Sequence, residues 1–341
     1  MDPYGLKRVV GQPGVLPQQA QRLDPSLPLR DDELLIDVDV LNIDAASFRQ
    51  IERTAGNDPL AIAAAIRGIV QARGKMQNPE TGSGGMLLGT VREVGPAHPA
   101  AGKVKPGTRI ATLVSLTLTP LHLDAIGEID RRSDRAHVKG HAILFATGLF
   151  AEIPSDLPES LVLGALDVCG APALTARHVQ RGQRVLVLGA GKSGALCCAQ
   201  AKRAGAAQVL AFDVSRTAVD ELAALGFAEP LCGDAKQSLA VHAAVLEATQ
   251  GALCDVVINV ASVPGTEMAS LLSVREGGTV IFFSMATSFS QAALGAEGIG
   301  KDATLLIGNG YARDHAVLTL NLLRSEPKLR DLLERRFGAH A

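Results

Sequence analysis

The glycine turn at residues 189–194 constrains the fold of this 341-residue chain more than any other feature of the sequence. The turn joins a short apolar run, 184–188, to a segment with the apolar spacing of a helix. Gly189 permits a tight turn, Gly191 lets backbone N–H groups approach a ligand closely, and Gly194 lets the helix pack against the strand. A strand, a turn with this spacing and a helix together predict a parallel α/β unit.

The same turn predicts a phosphate ligand, because free backbone N–H groups and the positive end of the helix dipole meet there. Asp213 lies 19 residues after Gly194, at the end of a second apolar run. A carboxylate at this place accepts hydrogen bonds from both ribose hydroxyls of a dinucleotide and repels a 2′-phosphate. NAD is therefore the expected cofactor, and Arg216 leaves room for NADP. A P-loop is excluded because Leu186 stands where that motif requires glycine.

Strand-like and helix-like segments alternate after residue 170, which predicts parallel strands joined by right-handed crossovers, a doubly wound Rossmann sheet. The expected strands are 184–188, 208–212, 256–260, 279–283 and 304–307. Ligands of such sheets bind at the carboxyl ends of the strands. The residues expected to bind the cofactor are Gly189, Gly191, Lys192, Ser193, Gly194, Asp213, Val214, Arg216, Asp234, Val260, Ala261, Ser284, Met285 and Ala286.

The first half of the chain has a different pattern, in which short apolar runs alternate with Gly, Pro and charged turns. The runs are 34–40, 86–94, 109–114 and 142–153, with one helical segment at 61–73. This spacing is typical of a β-rich domain. We therefore expect an α/β protein with three regions. They are a β-rich catalytic domain at 1–165, a dinucleotide-binding domain at 166–310, and C-terminal helices at 311–341 that pack back at the domain interface.

The composition argues against several classes of partner. Hydrophobic residues make up 47% of the chain, charged residues 20%, and the formal net charge is −2, so there is no positive field for nucleic acid. No apolar run has the length of a membrane span and the first residues lack a signal-peptide core, which predicts a cytoplasmic protein. The five cysteines show no C-x-x-C spacing, which argues against a disulfide framework or a Cys-rich zinc site.

Two sets of motifs resemble known families. Residues 87–95 and 105–110 resemble the G-x-V…V-G…K-x-G-D-x-V stretch of the medium-chain dehydrogenase/reductase superfamily, which implies a GroES-like catalytic domain before the Rossmann domain. Longer segments, 73–86, 111–120 and 282–298, resemble the L-erythro-3,5-diaminohexanoate dehydrogenase family. No cysteine precedes Cys169, although zinc-dependent members of the superfamily carry a cysteine ligand earlier in the chain. A zinc-free enzyme is therefore expected.

The narrower resemblance implies NAD(P)-dependent oxidative deamination of (3S,5S)-3,5-diaminohexanoate to (5S)-5-amino-3-oxohexanoate and ammonia in lysine fermentation, by a homodimer. Such a reaction needs a base that takes a proton from the substrate ammonium. It also needs groups of both charge signs around the substrate. One alternative is a zinc-free quinone or enoyl reductase of the same superfamily, whose site needs few charges. A second is a dinucleotide-binding protein without catalytic activity.

Three carboxylates are candidates for the base, and the sequence does not choose between them. Asp44 follows the first strand in a loop, Asp167 stands in an apolar stretch that predicts burial, and Glu297 lies in a Gly/Ala-rich segment interpreted as a loop after the last but one strand. The other candidates are of two kinds: cations that would bind the substrate carboxylate, and side chains that would form hydrogen bonds with the substrate. They are Lys75, Lys301, Ser47, Asn78, Ser83, Ser115 and Thr117. A structural role is an open alternative for each of them.

Overall fold

Two six-stranded sheets organise the part of the chain that a computed structural model describes, which is residues 2–308 and 310–337. One sheet belongs to each of two compact units, Met1–Glu159 and Ser160–Ala341. The last four residues of the expected C-terminal region, 338–341, lie outside the described residues.

The sheet of the first unit is antiparallel and has β1 at its centre. Its strands are β1 (Glu33–Asn42), β2 (Met86–Val94), β3 (Arg109–Thr112), β4 (Leu121–Asp130), β5 (Arg135–Phe145) and β6 (Phe150–Glu152), in the order β4-β5-β1-β2-β3-β6. Successive side chains of a strand point to opposite faces. Leu34 and Ile36 enter the main core, whereas Leu35 packs with Ile143 and Phe145 in a second cluster. Both faces of β1 are therefore covered at its amino end, whereas further along the strand Asp37 and Asp39 alternate with the buried Val38 and Val40.

Several elements of the first unit depart from the sequence expectation, and the expected run 142–153 is divided between β5 and β6. Strand β4 was not expected, because bulges between Leu123 and Ala125 and between Ile126 and Ile129 disrupt the alternation of apolar residues. Asp44 lies in the short loop after β1, and a helix that was not among the expected elements, α1 (Ala45–Thr54), follows it. The second helix, α2 (Pro59–Arg73), coincides with the predicted helical segment.

The sheet of the second unit is parallel, as predicted. Its strands are β7 (Arg184–Leu188), β8 (Gln208–Asp213), β9 (Glu229–Cys232), β10 (Cys254–Asn259), β11 (Val274–Phe282) and β12 (Thr304–Ile307). The spatial order is β12-β11-β10-β7-β8-β9. This is the order of doubly wound dinucleotide-binding sheets, in which the direction of winding reverses between β7 and β10.

Helices cover both faces of this parallel sheet. As a result, the consecutive residues of β7 from Val185 to Leu188 are all fully buried. Leu186 and Leu188 share a core cluster with residues of α7, α8 and α9, which are bounded below. The helices of the unit are α3 (Glu159–Leu166), α4 (Gly170–His178), α5 (Lys192–Arg203), α6 (Arg216–Ala224), α7 (Ser238–Ala248), α8 (Glu267–Ser273), α9 (Phe289–Gly298), α10 (His315–Ser325) and α11 (Pro327–Phe337).

Helix α9 was interpreted as a loop in the sequence because it is rich in glycine and alanine. Ser288 accepts a hydrogen bond from the Gln291 amide and begins the helix. Small residues serve close packing here: a Cβ added at Gly295 would lie 2.5 Å from Met268 Sδ of α8. Ala292 and Ala296, four residues apart, are the buried residues of the helix. The Gly/Ala composition therefore marks a helix–helix contact.

Helices α3 and α4 are apolar and are bent by 58° relative to each other. Within the described residues, no single helix is long and apolar enough to cross a membrane, and this bent pair passes the same test only when its two helices are taken together. Asp167 stands at the break between them and is exposed, so the expectation that it is buried was wrong. A break in the helix carries its side chain out of the apolar stretch.

Lys75 is a buried cation that ties two parts of the first unit together. Its Nζ donates to the carbonyl oxygens of Pro17 at 2.7 Å and Gln18 at 3.1 Å. Burial, and to a lesser degree the charge of Arg73, lowers the pKa of Lys75 to about 8. The side chain therefore contributes to the fold at the end of α2 and holds the N-terminal segment against it.

We expect the free energy of unfolding to rise as the pH increases from about 8 to 10.5, which is the ordinary pKa of lysine. In this interval the unfolded chain binds a proton at Lys75 and the folded chain does not, so stability rises with pH. Lys75→Met should remove this part of the rise, as measured by urea denaturation across the interval. Lys103→Met, at an exposed lysine, is the matched control. Identical pH profiles for Lys75→Met and the parent would contradict the assignment.

Candidate functional site

The glycine turn after β7 is closed on two sides and open on the third. A Cβ added at Gly194 would lie 1.9 Å from the Gly189 carbonyl oxygen, so helix α5 packs directly on the turn. A Cβ at Gly189, which has φ +101°, would lie 3.1 Å from the Ala261 amide nitrogen beyond β10. A Cβ at Gly191 would meet no heavy atom within 4 Å. A ligand can therefore approach the backbone closely at Gly191.

Helix α5 begins at this open position. Gly191 is its N-cap residue, has an extended backbone and provides no side-chain cap. The N–H groups of a first helical turn have no partner within the helix, and together with the helix dipole they favour an anion. The open space at Gly191 and the uncapped start of α5 fit the diphosphate of a dinucleotide.

Asp213 links the end of β8 to the turn. Its Oδ2 accepts a hydrogen bond from the Ala190 amide at 2.7 Å, and its Oδ1 accepts one from the Ser215 amide at 2.8 Å. A carboxylate has about four acceptor positions, so Asp213 retains capacity for ribose hydroxyls. The neighbouring Val214 side chain is exposed, and Arg216 Nη1 lies 3.9 Å from Asp220 Oδ1.

The carboxyl ends of β10 and β11 form a fixed polar edge beside the turn. Asn259, fully buried, donates through Nδ2 to Thr266 Oγ1 at 2.9 Å and to Ser270 Oγ at 3.0 Å. Its Oδ1 accepts from the Ala261 amide at 3.2 Å. Most of the predicted cofactor residues reach this edge of the sheet. They are Gly189, Gly191, Lys192, Ser193, Gly194, Asp213, Val214, Val260, Ala261, Ser284, Met285 and Ala286.

Two predicted cofactor residues lie further along the chain from the strand ends. Arg216 is the first residue of α6, and Asp234 follows β9, where its Oδ1 accepts from the Lys236 amide.

Asp167, a candidate base, forms an ion pair with Lys192 of the turn, at 2.8 Å between Nζ and Oδ2. This pair ties the α3–α4 break to the start of α5.

The structure does not bring Glu297 or Lys301 to the carboxyl edge. Glu297 stands in the last turn of α9, which crosses from the carboxyl end of β11 to the amino end of β12. Lys301 Nζ donates to the Val274 carbonyl at 2.9 Å, at the amino end of β11. Val274 and Phe282 pair with Cys254 and Asn259, the two ends of the six-residue β10, so at about 3.3 Å per residue the two ends of β11 lie roughly 17 Å apart. Both side chains therefore lie toward the amino edge of the sheet.

Three hydroxyl groups meet in the first unit, and we call them the hydroxyl cluster. Ser47 Oγ lies 2.5 Å from Thr81 Oγ1 and 2.8 Å from Ser83 Oγ, and the latter two atoms are 3.0 Å apart. Ser47 is fully buried, whereas the contact between Thr81 and Ser83 is exposed. Thr81 was not among the predicted site residues, although it lies within the segment 73–86 that carries the family resemblance.

Asn78 holds the backbone of this cluster in place. Its Nδ2 donates to the Ser47 carbonyl at 3.3 Å and to Gln50 Oε1 at 2.8 Å, while its Oδ1 accepts from the Glu80 amide. The backbone amide of Asn78 donates to the Ser83 carbonyl at 2.9 Å. Asn78 is fully buried, so its contacts orient the segment from 78 to 83.

Ser115 and Thr117 support the glycine pair that follows the cluster. Ser115 Oγ accepts from the Thr117 amide and from Thr117 Oγ1, which begins a short 3₁₀ turn at Leu116–Leu118. A Cβ added at Gly84 would lie 3.2 Å from Thr117 Cγ2 and 2.3 Å from the Met76 carbonyl. The two hydroxyl side chains therefore shape the backbone beside the cluster.

Asp44 adds a carboxylate next to the hydroxyl cluster. Its Oδ1 accepts from the Ser47 amide at 3.0 Å and begins helix α1. Its Oδ2 is buried and has no hydrogen-bond partner among the described residues. Unpartnered buried oxygens are costly in a folded protein and therefore point to a missing partner.

Burial raises the pKa of Cys169, Cys197 and Cys254 to about 12, so these thiols are protonated at neutral pH. In the ranges 2–308 and 310–337, no group of three or more His, Cys, Asp or Glu side chains is arranged to hold a metal ion. The expectation of a zinc-free enzyme stays a prediction.

Related sequences cover the chain almost from end to end. The family model of the L-erythro-3,5-diaminohexanoate dehydrogenase N-terminal domain matches residues 7–154. The L-erythro-3,5-diaminohexanoate dehydrogenase of Acetoanaerobium sticklandii is 47% identical over 338 residues, 98% of each chain. The enzyme of the same name from Fusobacterium nucleatum subsp. nucleatum is 48% identical over 335 residues, 96% of each chain.

Solved structures resemble the chain at lower identity. An alcohol dehydrogenase from Thermotoga maritima has a TM-score of 0.56 at 16% identity, over 91% of this chain and 86% of its own. A mycobacterial protein in complex with NADPH has a TM-score of 0.55 at 19% identity, over 98% and 89%. The fold is that of the medium-chain alcohol dehydrogenases and quinone oxidoreductases. Within that class, the chain is an oxidoreductase that belongs to the L-erythro-3,5-diaminohexanoate dehydrogenase family.

Alanine substitutions at two glycines of the turn should have different effects. Gly191→Ala places a methyl group in open space, so we expect unchanged thermal stability and about tenfold or greater loss of NADH affinity, because the methyl group occupies the ligand's position. Gly194→Ala drives a Cβ into the Gly189 carbonyl and should cost about 1–3 kcal/mol of folding free energy. NADH fluorescence titration and thermal denaturation measure both effects. Parent-like NADH binding by Gly191→Ala would contradict the assigned site.

Proposed function

We propose that this protein catalyses the NAD-dependent oxidative deamination of (3S,5S)-3,5-diaminohexanoate to (5S)-5-amino-3-oxohexanoate and ammonia, a step of lysine degradation. The observation that carries the proposal is identity of 47% and 48% to two L-erythro-3,5-diaminohexanoate dehydrogenases over nearly the whole chain. Use of NADP as a second cofactor, the homodimer and the cytoplasmic location stay predictions.

The second unit would hold the dinucleotide along the carboxyl edge of its sheet. Gly191 and the first turn of α5 would bind the diphosphate, and Asp213 would accept hydrogen bonds from the adenosine ribose. The negative charge of Asp213 would oppose a 2′-phosphate, which supports NAD over NADP. When bound, the nicotinamide accepts hydride from the substrate carbon that carries the amino group.

Asp44 is the carboxylate that we assign as general base. Its Oδ2 is buried and has no partner within the described part of the chain, and its Oδ1 contacts Ser47 of the hydroxyl cluster. Asp167 is instead paired with Lys192, and Glu297 lies toward the amino edge of its sheet. Asp44 would take one proton from the substrate ammonium, which leaves a neutral amine whose lone pair assists loss of hydride from the same carbon. Water then adds to the resulting iminium carbon, and ammonia leaves.

The hydroxyl cluster would bind the polar groups of the substrate. Each hydroxyl of Ser47, Thr81 and Ser83 can donate one hydrogen bond and accept others, so the cluster can receive an ammonium proton or donate to a carboxylate. Asn78 would act through the cluster by fixing its backbone. The buried Lys75 is engaged by backbone carbonyls, so its proposed part is to hold the fold.

Steady-state turnover tests the proposal directly. We expect reduction of NAD, and slower reduction of NADP, when the protein is mixed with 3,5-diaminohexanoate at alkaline pH, as followed by absorbance of the reduced cofactor. A quinone with NADPH tests the reductase alternative. Turnover of the quinone without turnover of the diamino acid would overturn the proposal. Binding of NADH with no turnover of either substrate would favour a non-catalytic protein.

Asp44→Asn should lower kcat by about two to four orders of magnitude, which is the usual contribution of general acid–base catalysis. Asparagine still begins a helix well, so α1 and the thermal stability should be preserved. The KM for NAD should change little, because Asp44 belongs to the other unit. Glu297→Gln is the matched control and should keep parent-like kcat. If Glu297→Gln rather than Asp44→Asn abolishes turnover, the assignment of the base is wrong.

A further inference from the structure

Arg336 reaches the glycine turn from the last helix of the chain. Its guanidinium donates to the Ala190 carbonyl at 2.9 Å through Nη1 and to the Ala218 carbonyl at 2.9 Å through Nη2. Its Nε donates to Glu221 Oε2 at 2.7 Å. The side chain is only 15% exposed. One guanidinium therefore joins the turn after β7 to two positions of α6.

A rigid element carries this arginine. Helix α11 buries Leu329, Leu332 and Leu333 and packs against α5, the helix that the glycine turn begins. Arg336 stands in the last turn of α11, where a cation also interacts favourably with the helix dipole. The three buried leucines therefore fix the position of α11 relative to α5 and the turn.

Two consecutive peptide groups of the turn are held from outside. The Ala190 amide donates to Asp213, and the Ala190 carbonyl accepts from Arg336. A trans peptide group is planar, and its C=O and N–H point in opposite directions. The hydrogen bond from Arg336 therefore directs the N–H of Gly191 away from the guanidinium. Gly191 is the position with open space around it.

We propose that Arg336 is a positioning residue for the cofactor, which orients the Gly191 N–H toward the diphosphate without touching the ligand; this rests on the proposed function of the turn as a dinucleotide site. Three acceptors in different directions require the planar fork of arginine, and the single ammonium of lysine cannot satisfy all of them. Glu221 balances the guanidinium charge on the side of α6. Cofactor affinity therefore depends on the docking of α11.

The proposal separates ligands by the groups they carry. Arg336→Met should weaken ADP-ribose and NADH binding about tenfold, because a misdirected Gly191 N–H loses its charge-assisted hydrogen bond to the diphosphate, and should change adenosine binding less than about twofold. The KM for NAD should rise in parallel, while kcat at saturating NAD stays near that of the parent. NADH fluorescence titration measures the affinity for NADH, and displacement of bound NADH measures the affinities for ADP-ribose and adenosine.

Arg335→Met is the matched control, because Arg335 is exposed and lies 3.9 Å from Glu221 without reaching the turn. It should bind every ligand like the parent. Glu221→Gln and Arg336→Lys provide milder changes if Arg336→Met does not fold. Each should weaken ADP-ribose binding more than adenosine binding, since each loosens the guanidinium fork while leaving the leucines of α11 in place.

Several results would overturn the proposal. Parent-like ADP-ribose affinity in Arg336→Met, or in both milder variants, would show that the turn does not need the arginine. Equal losses for ADP-ribose and adenosine would show general loosening of the unit. If the parent binds neither NADH nor ADP-ribose, the proposed function fails together with this inference, whereas parent binding with unaffected variants overturns the inference alone.

Discussion

The contact between Gly194 and the carbonyl of Gly189 determines how the second unit can work. No side chain fits there, because a Cβ would lie 1.9 Å from that oxygen. Helix α5 can therefore lie directly on the end of β7, at the place where the winding of the sheet reverses. Its first N–H groups then meet the open space at Gly191. Every other feature of the proposed cofactor site depends on this close packing.

The turn is held by residues distant from it in sequence as well as by its own glycines. Asp213 bonds the amide of Ala190 from the next strand, and Arg336 bonds its carbonyl from a helix 146 residues away. Lys192 is paired with Asp167 at the α3–α4 break. The motif is short, but its geometry is maintained by the whole unit. This dependence explains why a matching glycine pattern alone is weak evidence for a cofactor site.

The sequence was sufficient to predict the parallel sheet and its turn, because buried parallel strands read as apolar runs and glycine has no substitute at positions of backbone contact. It was insufficient where packing decides the outcome. Bulges disrupted the alternation of β4, and the small residues of α9 serve a helix contact. Glu297 was a candidate base because its segment was interpreted as a loop, which would have kept it near the carboxyl end of β11.

The candidate site in the first unit was predictable only in part. Asn78 and Ser83 stand in the segment 73–86 that resembles a family, Ser47 was a separate candidate, and the structure brings the three together with Thr81. Nothing in the sequence distinguished Asp44 from the other carboxylates, because an unpartnered buried oxygen is a property of packing. Arg336 gave no sequence signal, since an arginine near the end of a polar helix is ordinary.

A crystal structure of the protein with NAD tests the central claim most directly, which is that residues 189–194 hold the dinucleotide. We expect a diphosphate oxygen at about 3 Å from the Gly191 amide nitrogen, the usual distance of such a hydrogen bond. We also expect that the adenosine ribose hydroxyls contact Asp213 and that Arg336 keeps its bond to the Ala190 carbonyl. A diphosphate bound away from this turn, or a Gly191 amide directed away from it, would contradict the account.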